Sequence, residues 1–125
     1  MGSGKENCIF CKIISGEVGS EVILKSEKFI VIKDVDQSIK GHALVIPKKH
    51  MGTFMELSSK DYLEFLKTTK KATQKILGEL GLKSFNLLNN NYSDAGQVVD
   101  HLHLHIIPRK KGDNVNGYFR KFYNG

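Results

Sequence analysis

Short apolar stretches alternate with polar turns through the first part of the chain. Residues 9–15 have a helix-like pattern of apolar positions, and Gly16 offers a C-terminal stop for such a helix. The apolar stretches that follow are short, and turn residues or proline bound them, which is typical of strands. We therefore predict a short helix and then three strands, at residues 20–25, 29–34 and 42–46.

The longest helical pattern covers residues 59–80. Its apolar positions recur every three or four residues and form a stripe that would pack against a sheet. Ser58, with Asp61 three residues later, is a capping signal, and Gly81 stands where the helix should end. The stripe and its adjoining row comprise Tyr62, Leu63, Phe65, Leu66, Thr69, Lys70, Ala72, Thr73, Ile76 and Leu77.

Two more strands are predicted after this helix, at residues 84–89 and 98–108, with a polar, glycine-containing loop at 90–97 between them. Five strands joined mostly by short turns, with one long helix, predict an antiparallel α+β fold. The length of 125 residues suits one domain. We assign that domain to residues 8–125 and expect residues 1–7 to be a disordered N-terminus or a vector-derived remnant.

Composition and charge narrow the class of protein. No apolar run approaches the roughly 20 residues that a membrane helix needs, and no signal segment is evident, so we expect a cytoplasmic protein without a membrane partner. The formal net charge of +6 favours anionic partners such as nucleotides or nucleic acid. A solvated basic surface explains the same charge equally well.

The two cysteines, Cys8 and Cys11, are separated by two residues. In a cytoplasmic context this spacing favours metal binding or redox chemistry over a structural disulfide. A metal site would need two further ligands. The alternative is two reduced cysteines that pack as small apolar side chains.

The segment His-Leu-His-Leu-His-Ile-Ile at residues 101–107 carries three of the five histidines in the chain. Side chains of a strand alternate between faces, so His101, His103 and His105 would share one face, roughly 6.5–7 Å apart along the strand. Imidazoles titrate near neutral pH and can act as nucleophile, proton donor or metal ligand. Reaction at a phosphoryl centre needs an attacking group, a proton source and donors for the oxygens.

This histidine segment resembles the signature of the histidine triad (HIT) family of nucleotide hydrolases and transferases. The resemblance runs from Cys8 to Arg109 and is closest to the bacterial-type nucleoside phosphoramidase branch. It implies a five-stranded antiparallel sheet with one long helix and a short N-terminal helix, paired into a continuous sheet in a homodimer. Its further motifs lie at residues 9–14, 41–50, 86–90 and 95–97.

The resemblance implies a nucleotidyl-histidine mechanism. His103 would attack the α-phosphorus, and water would then release the nucleoside monophosphate. His105 would contact the phosphate and pass a proton to the leaving group, His101 would complete the triad, and His42 would lie behind it and tune its protonation.

The resemblance also assigns the nucleotide-binding residues. Phosphate oxygens would be held by Asn90 and Gln97 and by backbone amides around Gly96 and Val98, and Asp34 would bind the ribose hydroxyls. Position 98 is often serine in this branch, so Val98 keeps only the backbone contact there, and Asp100 is a second departure. The apolar walls of the purine pocket would be Phe10, Ile13, Val18, Ile32 and Val35.

The resemblance supplies the two missing metal ligands, His50 and His101, which join Cys8 and Cys11 in a Cys₂His₂ zinc site. The zinc would be structural, and the hydrolysis would need no metal. The site should weaken in acid, because thiols and imidazoles must lose protons to bind metal.

The leading function is hydrolysis of purine nucleoside phosphoramidates, that is, phosphoramidates of AMP or GMP. The alternatives are a nucleotide-binding sensor or interaction module with little turnover, and a dinucleoside polyphosphate hydrolase. The basic and aromatic residues at 109–111 and 118–123 suit either RNA or a subunit interface. We favour the interface, with no nucleic-acid partner, because the family is typically homodimeric with its C-terminal segments near the partner's active site.

Overall fold

A computed structural model describes residues 5–115 as two helices and one five-stranded antiparallel sheet. The strands lie in the order β1-β2-β3-β5-β4. Within residues 5–115 no helix is long and apolar enough to cross a membrane. The elements are α1 (Ile9–Ile14), β1 (Val22–Lys25), β2 (Phe29–Lys33), β3 (Ala43–Pro47), α2 (Tyr62–Leu80), β4 (Ser84–Leu88) and β5 (Leu104–Arg109).

The two faces of the sheet bury different side chains, because neighbours along a strand point to opposite sides. On one face Val31 and Val45 pack under α2 with Phe65 and Ile76. On the other face, Ile30, Ile32, Leu44 and Ile46 pack against Phe10, Cys8 and Cys11 of the α1 region. The face under α2 is filled by core packing. The face under α1 is therefore the one that can carry a functional site. The predicted α+β fold is confirmed.

The start of α2 differs from the prediction. The helix begins at Tyr62, and residues 59–61 form a 3₁₀ turn instead. The Ser58 side chain makes no capping hydrogen bond. The predicted end is confirmed, since Gly81 adopts φ 68° and the Leu82 N–H donates to the Leu77 carbonyl.

The last strand is shorter than predicted. The strand expected over residues 98–108 is wrong at its start, since β5 begins at Leu104. Hydrogen bonds divert the segment before it: the Leu102 N–H donates to the Met51 carbonyl at 2.7 Å instead of joining a strand ladder. His101 and His103 therefore precede the strand, and only His105 lies within it.

Gly41 stands where the chain turns into β3, and its replacement by alanine tests the packing there. Gly41 has φ +86°, and a Cβ on it would lie 2.6 Å from Leu80 Cδ1 and 3.2 Å from Pro108 Cγ. Backbone strain and overpacking together predict that Gly41→Ala lowers the free energy of unfolding by about 2–4 kcal/mol, measured by urea denaturation.

Gly78→Ala is the matched control for Gly41→Ala. Gly78 lies inside α2, and a Cβ there would meet nothing within 4 Å. Alanine at this position should raise stability by about 0.5–1 kcal/mol. Equal midpoints for Gly41→Ala and the unsubstituted protein would contradict the close packing at Gly41.

Candidate active site

The three imidazoles share one face of the sheet even though two of them precede β5. Leu102 and Ile106 point into the core under α2, and the histidines point to the opposite side. The ring of Phe10 packs edge-on against both His101 and His103, at 5.7 and 5.1 Å between centroids. The rings of His103 and His105 are 5.0 Å apart. The alternation predicted from the sequence is confirmed.

The hydrogen bond made by His103 identifies its reactive nitrogen. Nδ1 lies 2.8 Å from the carbonyl oxygen of His101. A carbonyl only accepts, so Nδ1 carries the proton and the lone pair resides on Nε2. Burial lowers the pKa of His103, while the bond to the His101 carbonyl and the charge of Asp34 act in the opposite direction. Burial therefore favours the neutral ring, which is the nucleophilic form.

His42 and Asp34 lie behind His105 and form a chain of polar contacts with it. Nε2 of His42 is 2.9 Å from Nδ1 of His105, and Nδ1 of His42 is 3.7 Å from Oδ2 of Asp34. The sheet register produces this arrangement, since Lys33 pairs with Ala43 and the next residues outward are Asp34 and His42. His42 is fully buried, and the Asp34 carboxylate is partly exposed.

A cavity of about 300 Å³ opens beside His103 and His105. Val35 and Val98 are 99% and 84% exposed, which places them at its mouth. Sequence reasoning missed Ile9, Leu44 and Val99, which also line it; Leu44 was recognisable only as a core strand residue. Of the predicted nucleotide-binding residues, Asn90, Gly96 and Gln97 do not line this cavity, and the others do: Phe10, Ile13, Val18, Ile32, Asp34, Val35 and Val98.

A larger cleft of about 510 Å³ lies between the turn before β3 and the end of α2. Ile39, Lys40, Leu80 and Lys110 are among its lining residues, and the described part of its lining contains no histidine or cysteine. Size alone therefore does not locate the chemistry in this molecule.

Hydrogen bonds of Gln97 and Gly96 hold the loop at residues 90–97 in shape. Oε1 of Gln97 accepts from the Tyr92 N–H at 2.6 Å, and Nε2 donates to the Gly52 and Val99 carbonyls. The Gly96 N–H donates to the Ser93 carbonyl. The Gln97 side chain and the Gly96 amide thus hold the loop in shape, and their predicted contact with a phosphate stays a prediction.

Asn90 and Asn89 flank the histidines from β4. The pairing of Leu88 with His105 places Asn90 beside His103. Among the described residues, no polar group bonds the buried Nδ2 of Asn90, which leaves a donor for a ligand oxygen. Asn89 Nδ2 donates to the His103 carbonyl at 3.1 Å. This contact was missed, because nothing in a run of three asparagines distinguishes one from another.

A second cluster joins Cys8, Cys11, His50 and His101, as predicted. Their ligand atoms all lie within 4.8 Å of one another. Nδ1 of His101 is 3.3 Å from Cys8 Sγ and 3.1 Å from Nδ1 of His50. Tetrahedral zinc with bonds of 2.0–2.3 Å requires ligand atoms roughly 3.3–3.8 Å apart. The spacing of this cluster fits such an ion.

The protonation of the two imidazoles also suits a metal. Nε2 of His101 is 2.9 Å from the Pro47 carbonyl, so it carries the proton and Nδ1 presents its lone pair to the cluster. Burial lowers the pKa of His101 to about 4 and also lowers that of His50, so both rings are neutral at pH 7. His101 does not line the cavity. Its ring belongs to the cysteine cluster rather than to the cavity.

The fold and site together define a class of α+β domain whose chemistry resides in a histidine segment beside an apolar cavity. The family model described as HIT domain matches residues 15–112. The chain therefore belongs to the histidine triad family.

Three similar proteins illustrate the range of the family. An uncharacterised HIT-like protein of Methanocaldococcus jannaschii is 45% identical, over 85% of this chain and 81% of that protein. An adenosine 5'-monophosphoramidase of Schizosaccharomyces pombe is 40% identical, over 82% of this chain and 74% of that protein. The crystal structure of a Zn-bound histidine triad protein from Mycobacterium smegmatis has a TM-score of 0.82 at 30% identity, covering 90% of this chain and 82% of that one.

Proposed function

We propose that this protein hydrolyses purine nucleoside phosphoramidates and releases the nucleoside monophosphate. One observation carries the proposal: His103, with its lone pair on Nε2, lines a cavity that also holds Asp34 and an apolar lining. Hydrolase activity is supported by relatives named as adenosine 5'-monophosphoramidases and as an adenylylsulfatase.

The reaction divides into two displacements. In the first, Nε2 of His103 bonds to the α-phosphorus and the P–N bond to the leaving amine breaks. The amine takes a proton from Nε2 of His105. In the second, water attacks the same phosphorus, the P–N bond to His103 breaks, and the water proton goes to His105. Both histidines are then restored, and the products are the amine and the nucleoside monophosphate.

The nucleotide is placed by two parts of the cavity and by Asn90, which lies beside His103. The apolar lining around Phe10 and Ile32 takes the purine ring, since flat apolar slots suit bases. Asp34, at the end of β2, accepts from the two ribose hydroxyls. The buried Nδ2 of Asn90 donates to an α-phosphate oxygen.

The test is incubation of adenosine 5'-phosphoramidate with the protein in ¹⁸O-labelled water, with chromatography and mass spectrometry of the products. Release of AMP that contains one labelled oxygen supports hydrolysis at the α-phosphorus. AMP binding without turnover would instead identify a nucleotide sensor, and turnover of diadenosine polyphosphates alone would identify the third alternative. The cytoplasmic location stays a prediction.

We infer that the Cys8, Cys11, His50 and His101 cluster holds a structural zinc ion. The support is the spacing of the ligand atoms and the neutral state of the two imidazoles. The Zn-bound relative from Mycobacterium smegmatis adds to it. Zinc there would tie the N-terminal segment to the segment before β5, and chemistry at His103 would need no metal.

We also propose a homodimer with a continuous sheet across the edge strand β4. Phe85 and Leu87 pair with Pro108 and Ile106 of β5 and are 42% and 47% exposed. An edge strand with exposed apolar side chains is a ready site for pairing with a second strand. Residues 118–123, which we predicted to lie near the partner's active site, fall outside the described residues.

Leu87→Lys should shift the protein from dimer to monomer. A lysine would place a charge in the apolar contact, and we expect the dissociation constant to rise by about 100-fold or more. Light scattering after size-exclusion chromatography measures this. Val22→Lys is the control, because Val22 is 42% exposed on the opposite edge strand β1. A monomeric unsubstituted protein, or equal masses for both variants, would contradict the β4 interface.

A further inference from the structure

Asp34 contacts two parts of the site at once. It lines the mouth of the cavity, where the proposed function assigns it to the ribose. Its Oδ2 is 3.7 Å from Nδ1 of the fully buried His42, and its Oδ1 accepts from the Asp36 N–H at 2.8 Å. A carboxylate that only bound ribose would not need to lie within ion-pairing distance of a buried imidazole.

The contact between His42 and His105 requires one shared proton. Nε2 of His42 and Nδ1 of His105 are 2.9 Å apart, so one of these nitrogens donates and the other accepts. If His42 is neutral with its proton on Nδ1, its Nε2 accepts and His105 donates from Nδ1. The neutral His105 then has a lone pair on Nε2 and cannot supply a proton there.

The opposite arrangement makes His105 an acid. If Nε2 of His42 carries a proton, it donates to Nδ1 of His105, and the proton of the neutral His105 lies on Nε2. In a neutral His42 of this kind, the Nδ1 lone pair would face Oδ2 of Asp34 at 3.7 Å, so the arrangement calls for the imidazolium. A buried imidazolium requires a nearby negative charge. Asp34 supplies that charge. Within residues 5–115, His105 also lies close to His42, and the ring of His103 is 5.0 Å from that of His105.

We propose that Asp34, acting through His42, holds His105 in the tautomer that carries its proton on Nε2. Asp34 is then a positioning residue for the proton donor as well as a ribose ligand. The consequence for the reaction rests on the proposed function, because it is the leaving amine that would receive this proton. The tautomer itself does not depend on turnover.

The first test is ¹⁵N NMR of the histidine-labelled protein at neutral pH, without substrate. In the unsubstituted protein we expect the His105 Nε2 resonance in the protonated range. In Asp34→Asn it should move to the range of an unprotonated ring nitrogen, with the proton on Nδ1. Asp36→Asn is the matched control and should leave the His105 tautomer unchanged. The same His105 tautomer in the unsubstituted protein and in Asp34→Asn overturns the proposal, whether or not the protein is a hydrolase.

The second test separates ribose binding from proton donation. It compares adenosine and 2′,3′-dideoxyadenosine phosphoramidates in the unsubstituted protein and in Asp34→Asn. If Asp34 only binds ribose, the substitution has no effect on the dideoxy substrate. We expect kcat for the dideoxy substrate to fall by about 100-fold, the lower end of the range typical of general-acid catalysis. No fall overturns the link to the leaving group.

The leaving group provides the last discrimination. A dideoxyadenosine 5'-(p-nitrophenyl phosphate) expels an anion that needs no proton, so Asp34→Asn should lower kcat for it by less than about 3-fold. An equal loss for amine and nitrophenol leaving groups would mean that the substitution damages the site generally, which also overturns the proposal. If the unsubstituted protein turns over neither substrate, the proposed function fails while the NMR result on His105 still decides the tautomer.

Discussion

His103→Ala is expected to lower kcat/KM for adenosine 5'-phosphoramidate by on the order of 10⁴-fold or more. The substitution removes Nε2, so the nucleotidyl-histidine intermediate cannot form and water must attack the α-phosphorus directly. Loss of a catalytic nucleophile commonly has effects of this size. The measurement is initial rates of AMP release, with the amount of active unsubstituted enzyme fixed by titration.

The variant must remain folded and able to bind nucleotide for that loss to be interpreted. The His103 ring packs against Phe10, so circular dichroism and calorimetric binding of AMP should accompany the rates. Thr68→Ala offers a comparison, because Thr68 is buried in α2 on the other side of the sheet; it should leave kcat/KM within about 3-fold. If His103→Ala binds AMP and retains turnover, His103 is not the nucleophile.

A quench with alkaline denaturant during turnover gives an independent check on the same step, because the phosphorus–nitrogen bond of the adduct is stable in base. The unsubstituted protein should contain a nucleotidyl adduct detectable by mass spectrometry of the intact chain, and His103→Ala should contain none. A phosphorus–nitrogen bond is acid-labile, so the adduct should decay on standing in acid. An adduct located on another residue would move the nucleophile to that residue.

The sequence predicted the shared face of the histidines but not the extent of the strand that holds them. Alternation of apolar and polar side chains does not need strand pairing, and here it reaches back to His101, which itself lies in a bend. Strand pairing needs a partner, and the Leu102 N–H finds the Met51 carbonyl in a loop instead. The pattern of apolar and polar residues does not distinguish a paired strand from an unpaired segment, because the same side chains are buried in either case.

The contacts between residues far apart in the chain could not be predicted from the sequence for a related reason. The approach of Asp34 to His42 depends on the register between β2 and β3, which the turn at residues 35–41 sets. Gln97 shows the same limit in the loop, because a side-chain amide can bind a phosphate or can hydrogen-bond two loop segments together. Here it binds the Tyr92 N–H and the Gly52 carbonyl.

Removal of zinc is expected to lower the free energy of unfolding by about 4 kcal/mol when free zinc exceeds its dissociation constant about 1,000-fold. The cluster ties α1 to the segment before β5, and those segments share no strand pairing. Urea denaturation at buffered zinc concentrations, with and without a chelator, measures the difference. A variant with both Cys8→Ser and Cys11→Ser should show the low stability in each condition.

The pH dependence of that stability has a definite sign in the metal-free protein. The pKa of His101 is lowered from its usual value of 6.5 to about 4. Between pH 4 and pH 6.5, this ring is therefore protonated in the unfolded chain and neutral in the folded chain. Stability attributable to this ring is complete above pH 6.5 and falls by about 3 kcal/mol as the pH drops to 4. The zinc-bound protein should in addition lose its metal in acid, because protons compete for the thiolates and imidazoles.

Turnover in the zinc-free protein tests whether the metal is structural. The His101 carbonyl orients the His103 ring, and this contact comes from the backbone, which zinc affects only by stabilising the segment. A folded double cysteine variant should therefore retain kcat within about 10-fold at a temperature where it is fully native. The opposite result would be a variant that is folded but inactive, together with a metal-stripped unsubstituted protein that regains turnover only when zinc is added. That result would show that the metal site supports the chemistry itself.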